Sequence, residues 1–502
     1  MSNKSLIIRN VILSTATQVI TLALGMILPK VILLNWGSEY NGLINSITTV
    51  MRYLSLLEAG ISASTLQALY KAFGEKDLEQ VSSVVKTAQN YYRRIALVYV
   101  GCVMAISLIY PLMLNTEIPY WEIVVVILLQ GCTGVLNFAF RAAYQQVLNA
   151  EGKYYTISVI SLFNTVLTYA VKIIAVDVFN SIIVMQILGL LVMGIQVLAY
   201  AVYFGKKYSW IDKSKAVDNS LLKNKTCYMV QQLAGLVYRA TDTVVLSLFC
   251  GLKVVSVYSI YSMVYSAVTV MVGIARNSTN FVLGQAFHDD IQKFEKVYRG
   301  YTSFQIGFGC MLASCSMVLI MGFIELYTRG ISDANYINYF AAVLFSLDII
   351  LDCFRGASLA AANIAGRAPN TTWRYIVEAS ANFLLSLVLV QYMGMNGVLL
   401  GTVVSGVWRT IDSVYYFNTK VLGVSPMKEF LFGGLNICVF AVFCGVGKLF
   451  RIYMPNYAYF LFWGVITLSV TGIAYGGIYI LLNRDVFRNL ISMKAGKRET
   501  ST

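Results

Sequence analysis

The chain has 502 residues and a net charge of +14, yet only 12% of its residues are charged and 58% are hydrophobic, with a mean hydropathy of +0.68. Soluble domains carry about twice that share of charged residues, so these values exclude a soluble protein. The apolar segments are continuous rather than alternating, which argues against a β-barrel. The composition therefore predicts an all-α polytopic membrane protein.

The same composition limits the chemistry. His288 is the only histidine, and the nine cysteines show no CxxC spacing, so we expect no metal site, no cofactor and no catalytic residues. The sequence has no GxxxxGK[ST] phosphate loop and nothing that resembles a catalytic triad. We therefore predict that the protein is not an enzyme. Lys and Arg in cytoplasmic loops explain the positive charge better than nucleic-acid binding does.

Fourteen apolar segments, each long enough to cross a bilayer, follow one another along the chain. The first six cover about 11–34, 42–69, 94–112, 120–144, 155–176 and 181–204, with a polar amphipathic connector at 71–86. The next six cover about 226–250, 251–284, 302–327, 336–361, 373–392 and 397–417, and two further spans cover about 430–446 and 457–482.

An internal repeat with a spacing of 214 residues relates the two halves. The matched sites are Trp36-Gly37 with Cys250-Gly251, Ala72-Phe73 with Ala286-Phe287, and Arg141, Asn149 and Gly152 with Arg355, Asn363 and Gly366. A spacing kept at separate places indicates a duplicated membrane protein. Each copy has an even number of spans, so we expect a pseudo-two-fold axis along the membrane normal and a cavity between the copies.

The predicted organisation has five parts. They are an N-terminal six-helix lobe (1–205), a basic cytoplasmic linker (206–225), a C-terminal six-helix lobe (226–419), two additional transmembrane helices (427–482) and a basic cytoplasmic tail (483–502). Lys and Arg concentrate in the linker, the tail and alternate loops. Both termini are therefore predicted to lie in the cytoplasm.

Span 2 carries two charges at a depth where charges are costly and are functional candidates. Arg52 lies about 15 Å from the outer end of the span, and Glu58 lies about 9 Å deeper, at 1.5 Å per residue. We predict that Arg52 binds an anionic substrate and that Glu58 is a proton or cation site. The alternative is that a neighbouring helix neutralises each charge for packing.

Span 7 carries Arg239 and Asp242, three residues apart on one helix face. We predict that the planar guanidinium of Arg239 binds a phosphate, while Asp242 positions it or couples its release to an ion. A self-neutralised ion pair is the alternative. In span 10, Asp348 forms a stripe with Asp352 and Arg355, which makes Asp348 the third candidate for ion coupling.

Other polar residues divide between substrate binding and structure. Tyr261 and Tyr265 share a face of span 8, where tyrosine rings suit a sugar, although an interfacial aromatic belt also explains them. Lys30 near the outer end of span 1 either lines an outer vestibule or snorkels to the interface. Arg141 and Arg355 are better explained as interfacial anchors, and the Arg409–Asp412 pair as structural.

Several segments together resemble the Wzx-type polysaccharide and O-antigen flippases of the multidrug/oligosaccharidyl-lipid/polysaccharide (MOP) exporter superfamily. The resemblance extends over nearly the whole chain. It is carried by Asn10 and Lys30 in the opening span, Ser55-Leu56-Leu57-Glu58-Ala59-Gly60-Ile61, the Phe73-Gly74-Glu75-Lys76-Asp77 connector, Asp242, Gly251 and Tyr258-Ser259-Ile260-Tyr261. It implies a MATE-like fold with two six-helix lobes around a cationic cavity and two extra helices.

The resemblance also implies a function. A polyprenyl-diphosphate-linked glycan would cross from the cytoplasmic to the outer leaflet of the bacterial cytoplasmic membrane by alternating access, driven by a proton or sodium ion. The expected partners are membrane lipids and a polysaccharide polymerase or glycosyltransferases. The alternatives are a cation-coupled multidrug exporter, a peptidoglycan lipid-precursor flippase and a membrane polysaccharide polymerase.

Overall fold

A computed structural model describes residues 3–75, 77–211, 226–289, 291–365, 367–450 and 452–482. The described residues form fourteen α-helices. The first seven are α1 (Asn3–Leu54), α2 (Ala59–Gly74), α3 (Leu78–Met113), α4 (Tyr120–Leu136), α5 (Ala142–Ala150), α6 (Tyr154–Ile174) and α7 (Ile182–Lys207). The others are α8 (Thr226–Phe249), α9 (Leu252–Asp289), α10 (Ile291–Tyr327), α11 (Tyr339–Ile364), α12 (Ala368–Tyr416), α13 (Met427–Leu449) and α14 (Tyr457–Leu482).

Ten segments of the described chain are long and apolar enough to cross a membrane. Two of them, Ala16–Glu58 and Asn370–Leu422, have 43 and 53 residues, which is about twice the length that crosses a bilayer. Each bends where a glycine takes a positive φ, at Gly37 (φ 79°) and Gly394 (φ 53°), and so holds two spans. The ten segments therefore hold twelve spans. The other two spans that the sequence predicts fall on α8 and α11, which carry charged residues and are not among the ten.

The repeat is visible in the backbone as well as in the sequence. Helices α3 and α10 have 36 and 37 residues, and their bounds differ by close to 214 residues. Left-handed backbone recurs at the same spacing, at Gly37 (φ 79°) and Gly251 (φ 83°), and again at Asn180 (φ 47°) and Gly394 (φ 53°). Backbone of this kind is rare outside glycine, so its recurrence at matched places supports a duplicated fold.

The connector that the sequence places at 71–86 is for the most part helical. Helix α2 ends at Gly74, and α3 begins at Leu78, where the Asp77 carboxylate accepts a hydrogen bond from the Gln80 backbone N–H at 2.9 Å. This side chain satisfies one of the free N–H groups at the start of the helix. Span 3 is therefore the outer part of a helix that starts well before Arg94.

The chain divides into two compact units, Met1–Ser256 and Val257–Thr502. This division falls later than the linker at 206–225, most of which lies outside the described residues. Helix α8 belongs to the first unit because it packs against α1 and α3. The Tyr53 and Thr241 hydroxyls are 3.0 Å apart, and those of Tyr110 and Ser247 are 2.8 Å apart. The two six-helix lobes with a boundary at the linker stay a prediction.

The tightest approach in the first unit joins α1 to the beginning of α9. A Cβ atom placed on Gly42 would lie 1.8 Å from the Leu252 carbonyl oxygen. One residue before Gly42, the Asn41 amide donates to the Ser256 hydroxyl at 2.7 Å. Glycine is required here because the two backbones meet directly.

In the second unit, the most enclosed helix is α10, which α11, α13 and α14 surround. The Ser314 hydroxyl is 2.8 Å from that of Tyr475 on α14, and Gly447 of α13 faces the Met317 carbonyl. The two additional helices therefore pack on α10.

Candidate functional site

The second span of the first unit is broken where its charges lie. Helix α1 ends at Leu54, a 3₁₀ turn runs over Ser55–Glu58, and α2 continues from Ala59. The Ser55 hydroxyl donates to the Arg52 carbonyl at 2.6 Å, which satisfies one acceptor left free at the helix end. The break therefore lies between Arg52 and Glu58, the two residues that the sequence singles out in this span.

The Arg52 side chain is exposed in the middle of a membrane span. It lies roughly 20 Å along the helix from the Gly37 kink, at 1.5 Å per residue. Among the described residues, no carboxylate lies within ion-pair distance of its guanidinium. A cation without a counter-charge is costly in hydrocarbon, so this position is suited to water or an anionic ligand.

Helix α8 lies beside this break. The Tyr53 hydroxyl donates to the Val237 carbonyl at 3.4 Å and lies 3.0 Å from the Thr241 hydroxyl. The next residue, Asp242, is 3% exposed and interacts electrostatically with Tyr53. Arg239 lies on the same helix, but its side chain is outside the described part of the structure, and its pairing with Asp242 stays a prediction.

Glu58 lies within electrostatic range of Arg141, although no ion pair joins the two side chains. The two side chains interact electrostatically, and the Glu58 Oε2 atom is buried without a hydrogen-bond partner among the described residues. Arg141 ends a π-helical turn, a feature found often at functional sites. Its Nε donates to the Asn137 amide oxygen and its Nη1 to that of Gln196, both at 2.7 Å. Arg141 is thus held by neutral amides, which leaves its charge available to Glu58.

In the second unit, Tyr261 and Tyr265 are committed to packing contacts. The Tyr261 hydroxyl donates to the Tyr336 carbonyl at 2.9 Å and accepts from the Asn338 N–H at 2.8 Å. The Tyr265 hydroxyl donates to the Ala342 carbonyl at 2.9 Å. Both hydroxyls thus hold α9 against the start of α11, where they satisfy backbone groups. Binding of a sugar by these tyrosines stays a prediction.

The charged stripe of α11 continues into a chain of ion pairs that the sequence does not reveal. Arg276 of α9 pairs with Asp352 at 2.8 Å, and the other oxygen of Asp352 is 3.7 Å from Arg355. Arg355 in turn donates to Glu378 of α12 at 2.5 Å. The three helices are therefore joined by alternating charges.

The chain of charges goes on within α12. The second oxygen of Glu378 is 3.4 Å from Arg409, which is fully buried and also 3.4 Å from Asp412. Asp412 pairs with Arg374 at 2.7 Å. The Arg409 guanidinium also lies 4.4 Å from the centre of the Tyr375 ring, within the range of a cation–π contact. The expected Arg409–Asp412 pair is present as part of this larger network.

The remaining two candidates lie apart from these sites. Asp348 is half-buried on α11 and interacts electrostatically with Glu378, so the carboxylates of this helix belong to one electrostatic group. Lys30 is half-buried on α1. No cluster of three metal-ligating side chains occurs in the described ranges.

Sequence reasoning missed three members of the network, Arg276, Arg374 and Glu378. Glu378 has a visible signal, because it is a single carboxylate in the otherwise apolar stretch that follows Arg374. An ionisable residue in such a stretch needs a buried partner. The partners themselves lie on α9 and α11, and nothing local in the sequence identifies them.

No family model matches the chain, and a search of characterised proteins finds no sequence match. Solved structures do match. The chain has the all-α polytopic fold of MOP-superfamily exporters. An inward-facing multidrug resistance MATE transporter of that superfamily aligns with a TM-score of 0.66 and 16% identity, over 84% of this chain and 95% of the transporter.

Two more structures show the same fold. The lipid II flippase MurJ, in an inward closed conformation, aligns with a TM-score of 0.72 and 14% identity, over 96% of this chain and all of MurJ (100%). A MATE structure in the bent conformation aligns with a TM-score of 0.56 and 15% identity, over 86% of this chain and 96% of that protein. These proteins are transporters and flippases, and the chain is a multi-pass membrane protein of their fold.

Proposed function

We propose that this protein is a flippase for polyprenyl-diphosphate-linked oligosaccharide, acting in the biosynthesis of a cell-surface polysaccharide. The glycan head group would move from the cytoplasmic to the outer leaflet of a bacterial cytoplasmic membrane by alternating access. Both termini would lie in the cytoplasm, where the cytoplasmic face would meet glycosyltransferases, while a polymerase would receive the exported chain.

The observation that carries this proposal is the exposed Arg52 in mid-span. Four arginines of the second unit, Arg276, Arg355, Arg374 and Arg409, are paired with Asp352, Glu378 or Asp412. No described carboxylate neutralises Arg52. A guanidinium binds phosphate oxygens in a bidentate fork and keeps its charge at any physiological pH. A diphosphate supplies the counter-charge that this position lacks. Arg239 on the neighbouring helix is the second proposed contact, with Lys30, Tyr261 and Tyr265 as the further contacts that the sequence predicts.

The structural alignments differ in how much of this chain they cover. The MurJ alignment covers 96% of this chain, while the two MATE alignments cover 84% and 86%. The fourteen-helix architecture is thus matched more completely by a flippase of a lipid-linked substrate. The fold alone does not select the substrate, which is why the test must use the lipid itself.

We propose Glu58 as the site that couples transport to an ion. Its Oε2 atom has no described hydrogen-bond partner, and Arg141 supplies a cation nearby. A carboxylate in that position can exchange a proton against its attraction to the arginine. The sequence also predicts Asp242 and Asp348 as ion-coupling residues, and these two are the alternatives to Glu58.

The experiment is translocation of a labelled polyprenyl-diphosphate oligosaccharide in proteoliposomes, comparing wild type with Arg52→Ala. We expect the variant to be at least tenfold slower, because one charge-assisted hydrogen-bonded contact contributes about 1.5–3 kcal/mol. Arg299→Ala removes an arginine that pairs with Glu295 on its own helix and should leave transport unchanged. Equal rates for Arg52→Ala and wild type, with both proteins equally folded, would rule out Arg52 as the phosphate contact.

Two other functions follow from the structural neighbours. A multidrug exporter would extrude cationic dyes from the same proteoliposomes and leave the lipid-linked sugar in place. A peptidoglycan-precursor flippase would move lipid II in preference to the oligosaccharide lipid. Each outcome would replace the proposed substrate, and the three assays use one preparation of protein.

A further inference from the structure

We infer that the first unit binds an anionic phospholipid of the bilayer in a groove between α3, α5 and α7. Two adjoining cavities of about 240 Å³ and 150 Å³ form this groove. They share Gln89, Tyr144 and Ala201 as lining residues. Neither Arg52 nor Glu58 lines the groove, and the proposed transport function does not use it.

Two cations line the groove on one face of α3. Lys86 and Arg93 lie two helical turns apart, with Gln89 between them, so the three side chains point the same way. Within the described ranges, no carboxylate lies within ion-pair distance of Lys86 or Arg93. Their positive charge and the amide donor form a surface that suits a phosphate group.

The carboxylate that contacts the groove residue Tyr208 is already neutralised. Glu151 accepts hydrogen bonds from Lys153 and from Tyr208, which lines the groove. Burial, and then the hydrogen bond to Glu151, raises the pKa of the Tyr208 phenol, so Tyr208 keeps its proton and remains a donor. Glu151 therefore does not repel an anion in the groove.

Stacked aromatic rings make one wall of the groove rigid. The rings of Tyr144 and Phe204 are 4.3 Å apart at an angle of 24°, and those of Phe204 and Tyr208 are 4.5 Å apart at 20°. Aromatic side chains are common at the level of lipid head groups, where one end is apolar and the other is hydrated. A fixed wall of this kind keeps the groove open in the absence of a ligand.

Apolar surface continues from the groove along the same helices. Leu97 of α3 is 74% exposed, Leu198 and Val202 of α7 are 65% and 56% exposed, and Phe140 is 52% exposed. Such residues lie against acyl chains in a bilayer. A ligand with a phosphate head and acyl chains therefore fits both parts of this surface, whereas free phosphate fits only the first.

The matching helix in the second copy of the repeat, α10, is covered by protein and allows a comparison with the groove on α3. Lys86 and Arg93 correspond to Gly300 and Gly307 on α10 at the spacing of 214. The most apolar window of α10 is 72% buried, because α13 and α14 pack on that helix, and the matching window of α3 is 33% buried. The cations thus occur in the copy whose helix is left to lipid, which favours a lipid occupant over a protein one.

The test is native mass spectrometry of the full-length protein with phosphatidylglycerol, titrated against phosphatidylcholine. Basic residues at the membrane surface contribute about 1 kcal/mol each to binding of anionic lipid. The double variant Lys86→Gln/Arg93→Gln should therefore bind phosphatidylglycerol at least tenfold more weakly than wild type. The double variant Lys296→Gln/Lys428→Gln removes the same charge from two exposed positions on α10 and α13 and should bind as wild type does.

Three results would overturn the inference. The first is wild-type binding of phosphatidylglycerol by the groove variant. The second is full competition by inorganic phosphate at millimolar concentration, which would define a site for free anions. The third is a preference for undecaprenyl phosphate at equal mole fraction, which would assign the groove to the substrate lipid. If the glutamine variant does not fold, Lys86→Arg/Arg93→Lys conserves the charge and should keep the preference for phosphatidylglycerol.

Discussion

Arg141 and Arg355 occupy the same place in the two copies of the repeat but have different partners. Arg141 donates to two neutral amides, Asn137 and Gln196, whereas Arg355 donates to the carboxylate of Glu378 and lies near that of Asp352. The amides that hold Arg141 carry no charge to compensate the guanidinium, whereas the carboxylates that hold Arg355 do. At the same position of the repeat, Arg141 can therefore interact with a further anionic group, whereas Arg355 is already bound to carboxylates.

The same contrast extends to the surroundings of each arginine. In the first unit, Glu58 is near Arg141 and has a buried oxygen without a described hydrogen-bond partner. In the second unit, Glu378 uses both oxygens, one for Arg355 and one for Arg409. Charge pairs that satisfy each other resist rearrangement, since breaking one leaves a buried charge uncompensated. We infer that the second unit is the more rigid one and that ion exchange belongs to the first.

The largest expected effect is on the stability of the second unit. Glu378→Gln keeps the shape of the side chain but removes the charge between Arg355 and Arg409. It should lower the free energy of unfolding by about 3–5 kcal/mol, because two buried guanidinium groups lose their shared carboxylate. Thermal unfolding of the purified protein in detergent measures this loss.

The matched control for that variant is Glu295→Gln. Glu295 pairs with Arg299 at 2.7 Å on one partly exposed helix face, where an ion pair contributes at most about 0.5 kcal/mol. If Glu378→Gln were as mild as this control, the network would contribute little to stability, and the contrast between the two units would disappear.

The matching change in the first unit should have a smaller effect. Gln196→Leu removes the acceptor for Arg141 Nη1 at a site that is 3% exposed. A buried donor without its acceptor costs about 1–3 kcal/mol, and Arg141 keeps its bond to Asn137. The same unfolding measurement applies, with Gln391→Leu at an exposed position of α12 as the control. A loss larger than that of Glu378→Gln would reverse the order of the two units.

The sequence predicts those features of the fold that depend on neighbouring residues, and it does not predict those that depend on contacts between distant helices. The membrane class, the number of spans and the repeat follow from hydropathy and spacing, and the positive φ at Gly37 and Gly251 confirms that the matched glycines have a common backbone role. The position of α8 does not follow, because the Tyr53–Thr241 and Tyr110–Ser247 contacts depend on tertiary packing.

In the candidate site, the sequence likewise identifies the unusual charged residues but not their partners. Charges in apolar spans identify Arg52, Glu58 and Asp348 as unusual without any structure. Which of them has a partner is a property of distant helices. Glu378 joins Arg355 and Arg409 across a helix pair, and no spacing in the sequence predicts that contact. The 3₁₀ turn at Ser55–Glu58 does not follow from the sequence either, since its four residues include no glycine or proline to mark a break in the helix.

The smallest expected effect on stability, and the most informative one for function, comes from Glu58→Gln. The buried Oε2 atom has no described partner, so the amide loses only the electrostatic attraction to Arg141, and the free energy of unfolding should change by about 1 kcal/mol or less.

The effect of Glu58→Gln on transport should be much larger than its effect on stability. If Glu58 carries the coupling proton, the variant should lose the stimulation by an imposed pH gradient and keep the rate that wild type shows without a gradient. Asp348→Asn is the comparison, because Asp348 belongs electrostatically to the Glu378 network and should leave the response to the gradient intact. If gradient-driven transport survives in Glu58→Gln and disappears in Asp348→Asn, the coupling site lies in the second unit. The ion-pair network of that unit would then take part in transport, and the contrast drawn here between the two copies would be reversed.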